Sequence, residues 1–496
     1  MKALKVVIIG TGYVGLVTGT CLADLGHHVT CMDIDKSRIE KLRRGVMPIY
    51  EPGLLALMGK NSAAGRLDFS ANFSGAVRGS DVLFVAVGTP AGADGRADLS
   101  QVEAVGRSLV ALREPGAPSQ EAGLPRYVVM KSTVPVGTCR RLQGILEGSG
   151  SAGGNGSGNV SGSEGAHGSV GGSGNVSESE KRGEGGGEAA APREISREMS
   201  LTASREVPRV VSCPEFLREG SAVHDFFHPD RIVVGAAREE DARDVARLFE
   251  QVQAPRVLTD LESAEMIKYA SNAFLATKIS FINEIAAICE RTGADVKEVA
   301  RGMGLDSRIG EKFLHAGLGY GGSCFPKDTL ALIAQAADEG YDFSILKAVA
   351  GVNAGLRGRA VEKLQELLGG ELQGKTVAVL GLSFKPGTDD LREAPSLEII
   401  QRLTREGAQV RVCDPLVQGE RAPDLPAGAV QAEDAYQAAA GADAVILVTE
   451  WDEFKSLDLP RLREAMAGDV FLDGRNVYEP GAMRELGFRY RGMGRG

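Results

Sequence analysis

No stretch of this sequence reaches the roughly 18 consecutive apolar residues that a membrane span requires. It has no C-x-x-C pair, and its cysteines number seven, an odd count that suits a reducing compartment better than a disulfide framework. No basic block stands out against a net charge of −10, which argues against nucleic acid as the main partner. An anionic ligand must then be held by local donors rather than by the overall field. Met1-Lys2-Ala3-Leu4-Lys5-Val6 leads directly into a strand-like run without the apolar core of a signal peptide, so a cytoplasmic protein is expected. What remains is 43% hydrophobic and 25% charged over 496 residues, the profile of a soluble chain of two to four domains. No metal site and no membrane partner are expected.

The first clear pattern is a strand, Val6-Val7-Ile8-Ile9, followed at once by Gly10-Thr11-Gly12-Tyr13-Val14-Gly15 and an amphipathic stretch to Leu25. A second strand, His28 to Met32, ends in Asp33. This is G-x-G-x-x-G in its strand–turn–helix setting. Gly10 makes the tight turn, Gly12 admits a pyrophosphate, and Gly15 lets helix pack on strand. The helix N-terminus offers amides and positive dipole to phosphates. Asp33, about 20 residues on, suits ribose hydroxyls and repels a 2′-phosphate, so NAD is favoured over NADP.

Two further strand-like runs carry polar ends, Asp81 to Val87 before Gly88-Thr89-Pro90, and Arg126 to Met130 before Lys131-Ser132-Thr133-Val134-Pro135. In a doubly wound sheet ligands sit beyond such C-terminal ends, which places Thr89 and Thr133 at the site unless they only cap helices. Over 148–205, glycine and serine dominate, with hardly an aromatic residue, so disorder is expected there. A crossover helix precedes this insert, so it should emerge opposite the ligand edge.

Cys213-Pro214-Glu215-Phe216-Leu217-Arg218-Glu219 follows the next strand, and Glu215 and Glu219 are expected to share a helix face. Apolar residues then recur at helical spacing from Asp260 to Arg291 with no Gly or Pro, which predicts one helix of more than about 40 Å. Lys268 and Asn272 lie at i and i+4 within its apolar stripe. A lysine there is either snorkelling or paired and working. Helical pattern resumes after Gly293 and runs through Arg308 to Lys312-Phe313-Leu314. From Gly374 strands again alternate with helices, implying a second parallel sheet without a pyrophosphate fingerprint. Lys385, Arg392 and Arg475 fall at its ligand edge, where they hold a phosphate or simply face solvent.

Between the two patterns lies Gly319-Tyr320-Gly321-Gly322-Ser323-Cys324-Phe325-Pro326-Lys327-Asp328. Glycines crowd a single cysteine, so a ligand can approach its sulfur. The neighbouring positive charge favours the thiolate, which is the nucleophile. Plain core packing is the alternative.

These motifs, together with Pro214-Glu215-Phe216-Leu217, Lys268 with Asn272, and Phe384-Lys385, closely resemble the UDP-glucose/GDP-mannose dehydrogenase family, above all its UDP-glucose 6-dehydrogenases. The resemblance covers nearly the whole chain outside the insert. It implies an α/β protein: an NAD-binding Rossmann-like domain at 1–260, a long central helix and helical dimerisation region at 261–365, and a Rossmann-like UDP-sugar domain at 366–496. It implies four-electron oxidation of UDP-glucose to UDP-glucuronate, with Cys324 carrying a thiohemiacetal and then a thioester. Lys268 and Asn272 would stabilise the oxyanion. Asp328 would assist proton transfer, and Thr133 and Glu215 would position water.

On the same resemblance, NAD would meet Gly10, Gly12, Tyr13, Val14, Gly15, Asp33, Arg38, Thr89, Thr133, Glu219, Lys327 and Arg392. The nucleotide-sugar would meet Glu215, Phe216, Leu217, Lys268, Asn272, Phe313, Leu314, Gly321, Phe384, Lys385 and Arg475. Arg308 would reach the site from a partner subunit, implying at least a homodimer. Cys213 departs from the asparagine usual before Pro-Glu-Phe-Leu. The competing readings are the same chemistry on GDP-mannose or a UDP-N-acetylhexosamine, a hydroxy acid dehydrogenase making one NADH, and a non-catalytic nucleotide-sugar sensor.

Overall fold

Lys5–Ile9 (β1) is buried at every position after Lys5, as a strand covered on both faces requires, and so it sits at the centre of a sheet. A computed structural model of the chain describes residues 3–113, 123–148, 206–419 and 422–496. The expectation of disorder over 148–205 thus lies outside the described residues, apart from Gly148. Around β1 are ranged His28–Met32 (β2), Leu67–Ser70 (β3), Val82–Val85 (β4), Tyr127–Met130 (β5), Arg209–Ser212 (β6), Ile232–Ala236 (β7) and Arg256–Thr259 (β8), in the order β3-β2-β1-β4-β5-β6-β7-β8. The first six strands are parallel. Tyr13–Asp24 (α1) follows β1, and Thr138–Glu147 (α2) returns the chain from β5 toward the N-terminal edge, where β6 begins. The two ends of the insert therefore stand opposite the ligand edge, as expected.

The sheet departs from a wholly parallel plan at β7, which pairs with β6 antiparallel and carries β8 with it. The reason is the link between β6 and β7. It is a loop with the short helix Ala222–Phe227 (α3), and it brings the chain back at the ligand edge, so β7 starts there and runs back. This keeps the Cys213–Gly220 loop at the site.

The long helical pattern is one helix, Leu261–Thr292 (α4), about 48 Å long at 1.5 Å per residue. Asp260 caps it by accepting the Ser263 amide, and Gly293 ends it in the left-handed region at φ 78°. The helix that follows, Val296–Gly304 (α5), stops short of Arg308, so Arg308 and Phe313-Leu314 lie on an irregular segment of turns rather than a helix. Phe325–Asp338 (α6) begins at the cysteine, and Ser344–Leu367 (α7) packs beside α4.

The second sheet is parallel throughout: Thr376–Leu380 (β9), Gln409–Cys413 (β10), Ala429–Gln431 (β11), Ala444–Leu447 (β12), Val470–Asp473 (β13) and Arg489–Gly492 (β14), ordered β11-β10-β9-β12-β13-β14. That order repeats the first six strands of the first sheet. Even the acid after the second strand recurs, since Asp414 accepts the Leu382 and Ser383 amides at 2.8 and 3.0 Å. Here, though, it is fully buried and the Trp451 indole also donates to it, at 3.1 Å. The ribose-binding position of this sheet is consumed internally. Among the described residues no helix is long and apolar enough to cross a membrane.

Candidate active site

The glycine turn meets the needs of a dinucleotide. A Cβ on Gly15 would lie 1.9 Å from the Gly10 carbonyl oxygen, whereas one on Gly12 would meet nothing within 4 Å. Space is therefore kept open where a pyrophosphate comes, and closed where helix meets strand. Asp33 accepts the Thr11 amide and hydroxyl, both at 2.8 Å, and the Asp35 amide at 3.0 Å. Burial opposes its charge, but these donors, with Arg38 at 3.8 Å, hold its pKa below the usual carboxylate value. It is thus an ionised acceptor set to take ribose hydroxyls, with Arg38 beside it. Val14 follows Tyr13 in the first turn of α1. Thr89 does not cap a helix; its hydroxyl donates to the Thr133 carbonyl at 2.8 Å and joins the ends of β4 and β5.

The Cys213–Gly220 segment is a loop, so Glu215 and Glu219 share no helix face. Glu215 bends back to accept the Leu217 amide at 2.6 Å. Its other oxygen accepts from the Lys268 ammonium at 2.9 Å, with both side chains at most 5% exposed. The lysine is paired, and does not snorkel. It also stands over the Phe216 ring, 5.3 Å from its centre. Burial works against its charge, but Glu215 first, then Cys324 and Asp328, raise its pKa above the ordinary lysine value. One turn along α4, Asn272 donates to Asp328 Oδ2 at 2.6 Å. Cys213 is buried, with the Lys131 ammonium 3.7 Å from its sulfur.

Cys324 is the N-cap residue of α6, with Pro326 in the first turn. The loop before it is held by α7, where Asn353 bonds both the amide and the carbonyl of Tyr320, at 2.9 and 3.1 Å. The Gly322 amide donates to the Arg392 carbonyl at 2.8 Å. Gly322 has φ 82°, and a Cβ there would come within 2.7 Å of the Phe384 ring, so only glycine lets that ring close on the loop. The basic neighbours do not set the direction of the thiol's pKa. Burial pushes its pKa up, and Glu215 and Asp328 add to this, while Lys268 and Ser323 oppose them without prevailing.

The Lys327 ammonium lies 2.5 Å from Asp328. Arg392 is likewise held, by Asp390 at 2.7 Å and by Glu219 at 3.4 Å. Glu219 also accepts the Ser323 hydroxyl at 3.2 Å, and burial next to Asp390 raises its pKa to about 7. Lys385 carries no carboxylate within 4 Å among the described residues, and burial lowers its pKa. Its ammonium stands 5.4 Å from the Phe384 ring centre. Arg475 donates to the Val448 carbonyl at 2.6 Å and to the Gly319 carbonyl at 3.3 Å, bracing the glycine loop. Arg308 is exposed and paired with its own neighbour Asp306 at 2.6 Å, so this chain alone does not bring it to Cys324.

Three non-glycine residues have positive φ among those described, Phe313, Glu393 and Asn476. One is itself an expected sugar contact, and the others adjoin Arg392 and Arg475. Strained backbone of this kind clusters where ligands are clamped. Sequence reading passed over Glu265, one turn before Lys268, whose carboxylate accepts the Gly137 and Cys139 amides at 2.7 and 2.8 Å and caps α2. Its signal was available, since it falls on the same buried stripe. Glu51 was missed too.

A dinucleotide turn in one sheet, together with a buried lysine–glutamate pair and a cysteine, defines a pyridine-nucleotide-linked dehydrogenase. The family models bear this out. The UDP-glucose/GDP-mannose dehydrogenase family matches through its NAD binding domain at 4–160 and 189–253, its central domain at 262–355 and its UDP binding domain at 378–480. The chain belongs to that family, and NAD is its cofactor. It is 43% identical to the UDP-glucose 6-dehydrogenase YwqF of Bacillus subtilis, over 99% of this chain and 98% of that one. A UDP-glucose 6-dehydrogenase of Pseudomonas aeruginosa is 42% identical with the same coverage. Among solved structures, a UDP-glucose dehydrogenase from Pyrobaculum islandicum has a TM-score of 0.81 at 37% identity, covering 100% of this chain and 98% of that one. A UDP-D-ManNAc dehydrogenase from Pyrococcus horikoshii has a TM-score of 0.77 at 25% identity, with 99% of each chain covered.

Proposed function

We propose that the chain oxidises the C6 alcohol of UDP-glucose to the carboxylate of UDP-glucuronate, consuming water and two NAD and releasing two NADH and three protons. The observation that carries this reading is the buried Lys268–Glu215 pair beside Cys324. A cysteine is unneeded for a single alcohol oxidation, and it is useful if the aldehyde must be held for a second one. NAD, bound at Gly10 to Gly15 and Asp33, supplies the hydride acceptor in both steps.

Lys268 and Asn272 face the sugar oxygen as cation and amide donor, where negative charge develops. The Cys324 sulfur adds to the aldehyde carbon while its proton leaves to a neighbouring carboxylate or water, giving a thiohemiacetal. The second oxidation leaves a thioester. A water held by Glu215 and Thr133 attacks it, with Asp328 assisting proton transfer, and the C–S bond breaks to restore the thiol. Lys385 suits the diphosphate, because a half-buried ammonium whose charge burial disfavours is steadied by an anionic partner. Phe216, Leu217, Phe313, Leu314, Gly321, Phe384 and Arg475 frame the sugar nucleotide, with Glu219, Lys327 and Arg392 tying its loops together.

The three family matches support division of the chain near 260 and 365. The YwqF relative supports glucose as the sugar. The UDP-D-ManNAc dehydrogenase neighbour keeps a UDP-N-acetylhexosamine as the second reading, and a panel of sugar nucleotides followed by NADH absorbance discriminates the two. With UDP-glucose, two NADH per sugar are expected and no free aldehyde. One NADH per sugar, or aldehyde in solution, would defeat the scheme.

The seven free cysteines accord with a cytoplasmic location. A homodimer is supported by α4, where Phe274, Phe281 and Ile288 are exposed at seven-residue spacing. Heptad apolar residues left bare on one face of a long helix seek a second helix. Such a partner is what Arg308 requires. Phe281→Asp should therefore yield monomers in analytical ultracentrifugation and cut kcat/KM. A variant with unchanged mass would count against this interface.

A further inference from the structure

Glu51 takes no part in the chemistry above, yet it sits where three parts of the molecule meet. It is 6% exposed. Its Oε2 accepts the Gly220 amide at 2.7 Å and the Tyr13 hydroxyl, and its Oε1 accepts the Ala222 amide at 2.7 Å and the Val223 amide at 3.4 Å. The Gly220 amide is shared with the Tyr13 oxygen at 3.0 Å. Tyr13 is the first residue of α1, inside the turn that faces the pyrophosphate. Gly220 closes the loop that carries Glu215, Phe216, Leu217 and Glu219. The second sheet touches the same hub. The Tyr50 amide donates to Asp389 at 3.3 Å, and a Cβ on Gly220 would lie 2.8 Å from the Gly387 oxygen.

We propose that Glu51 is a positioning residue that couples the two ligand sites, so that filling the dinucleotide turn orders the sugar loop. The physical route is short. Four donors share one buried carboxylate, and displacing any of them leaves charge under-satisfied in a low-dielectric setting. A dinucleotide against Gly12 fixes Tyr13, Tyr13 fixes Glu51, and Glu51 holds Gly220 and with it the turn that presents Glu215 to Lys268. A loop already ordered costs less to close on the sugar. The proposal rests on the ligand sites assigned above, but its test needs no turnover.

Calorimetric titration of UDP-glucose into the full chain, with and without saturating NADH, measures the coupling directly. In the parent chain NADH should tighten UDP-glucose at least about fivefold, the lower end of ordinary coupling. Glu51→Gln and Tyr13→Phe should each bring that factor below about twofold, and their combination should lose no more than either alone. Glu51→Gln should still bind NADH, which a merely unfolded variant would not. Tyr13→Phe removes one hydroxyl and spares the α3 amides, so it tests the link even where Glu51→Gln unfolds. Coupling that survives either folded variant, or is absent from the parent, overturns the proposal. A parent that binds neither ligand overturns the ligand assignments as well, whereas lost coupling with both ligands still bound concerns Glu51 alone.

Discussion

Replacing Cys324 by serine is expected to lower the rate of UDP-glucuronate release by about 10³-fold or more, the scale on which an activated nucleophile contributes. At least about 4 kcal/mol of transition-state stabilisation is then lost. The serine hydroxyl occupies the same place at the start of α6 but lacks a thiolate's nucleophilicity, so the aldehyde is no longer captured. NAD binding should be unaffected, because the turn at Gly10 to Gly15 is built by another sheet edge. Two measurements check this: product release by chromatography, and NADH affinity by calorimetry. Turnover within tenfold of the parent would remove Cys324 from the role of nucleophile.

The thiol makes a second, sharper test of the same residue. Burial, Glu215 and Asp328 raise its pKa in the free protein. Alkylation by iodoacetamide follows the thiolate. Its rate should therefore climb with pH and reach half-maximum above the value of an ordinary thiol, about 8.5. A midpoint below that would mean that Lys268 dominates the site before substrate arrives.

Lys268→Met should affect both activity and stability. Removing a preorganised donor at a developing oxyanion costs about 10²–10³ in kcat. The same substitution leaves the Glu215 carboxylate, 4% exposed, without its cation, and breaking a buried pair costs about 3–5 kcal/mol. Thermal unfolding and steady-state kinetics separate the two effects when Glu215→Gln is added. The double variant buries no unpaired charge, so its stability should recover substantially. Its activity should not. If Glu215→Gln restored activity along with stability, Lys268 would be a structural residue only.

The readable part of this protein is local. The dinucleotide turn shows because glycine spacing and the strand before it constrain the backbone within a few residues. The extent of α4 shows because Asp260 and Gly293 are its caps and the 3.6-residue period continues between them. Cys324 stands out because its glycine neighbours have few other uses.

Long-range pairing was not readable. The partner of Lys268 lies 53 residues away and that of Glu51 169 residues away, on loops that meet only because β6 ends beside β5 and β7 turns back. The same holds for Lys327. A cation one residue from Asp328 looks free to reach a cofactor until the fold buries that carboxylate beside Asn272. The direction of the thiol's pKa was not readable for a related reason. Flanking charges in sequence favour a thiolate, but pKa follows burial and the carboxylates brought in by other elements.

By itself, then, the sequence determined the dinucleotide turn, the long helix α4, the second parallel sheet and the residue types at the site, since these follow from backbone geometry and periodicity. Only the tertiary structure decided which buried charges pair, which way β7 and β8 run, and that the Cys324 pKa is pushed up rather than down. Those outcomes depend on desolvation and on contacts between segments far apart in the chain, which no local pattern encodes.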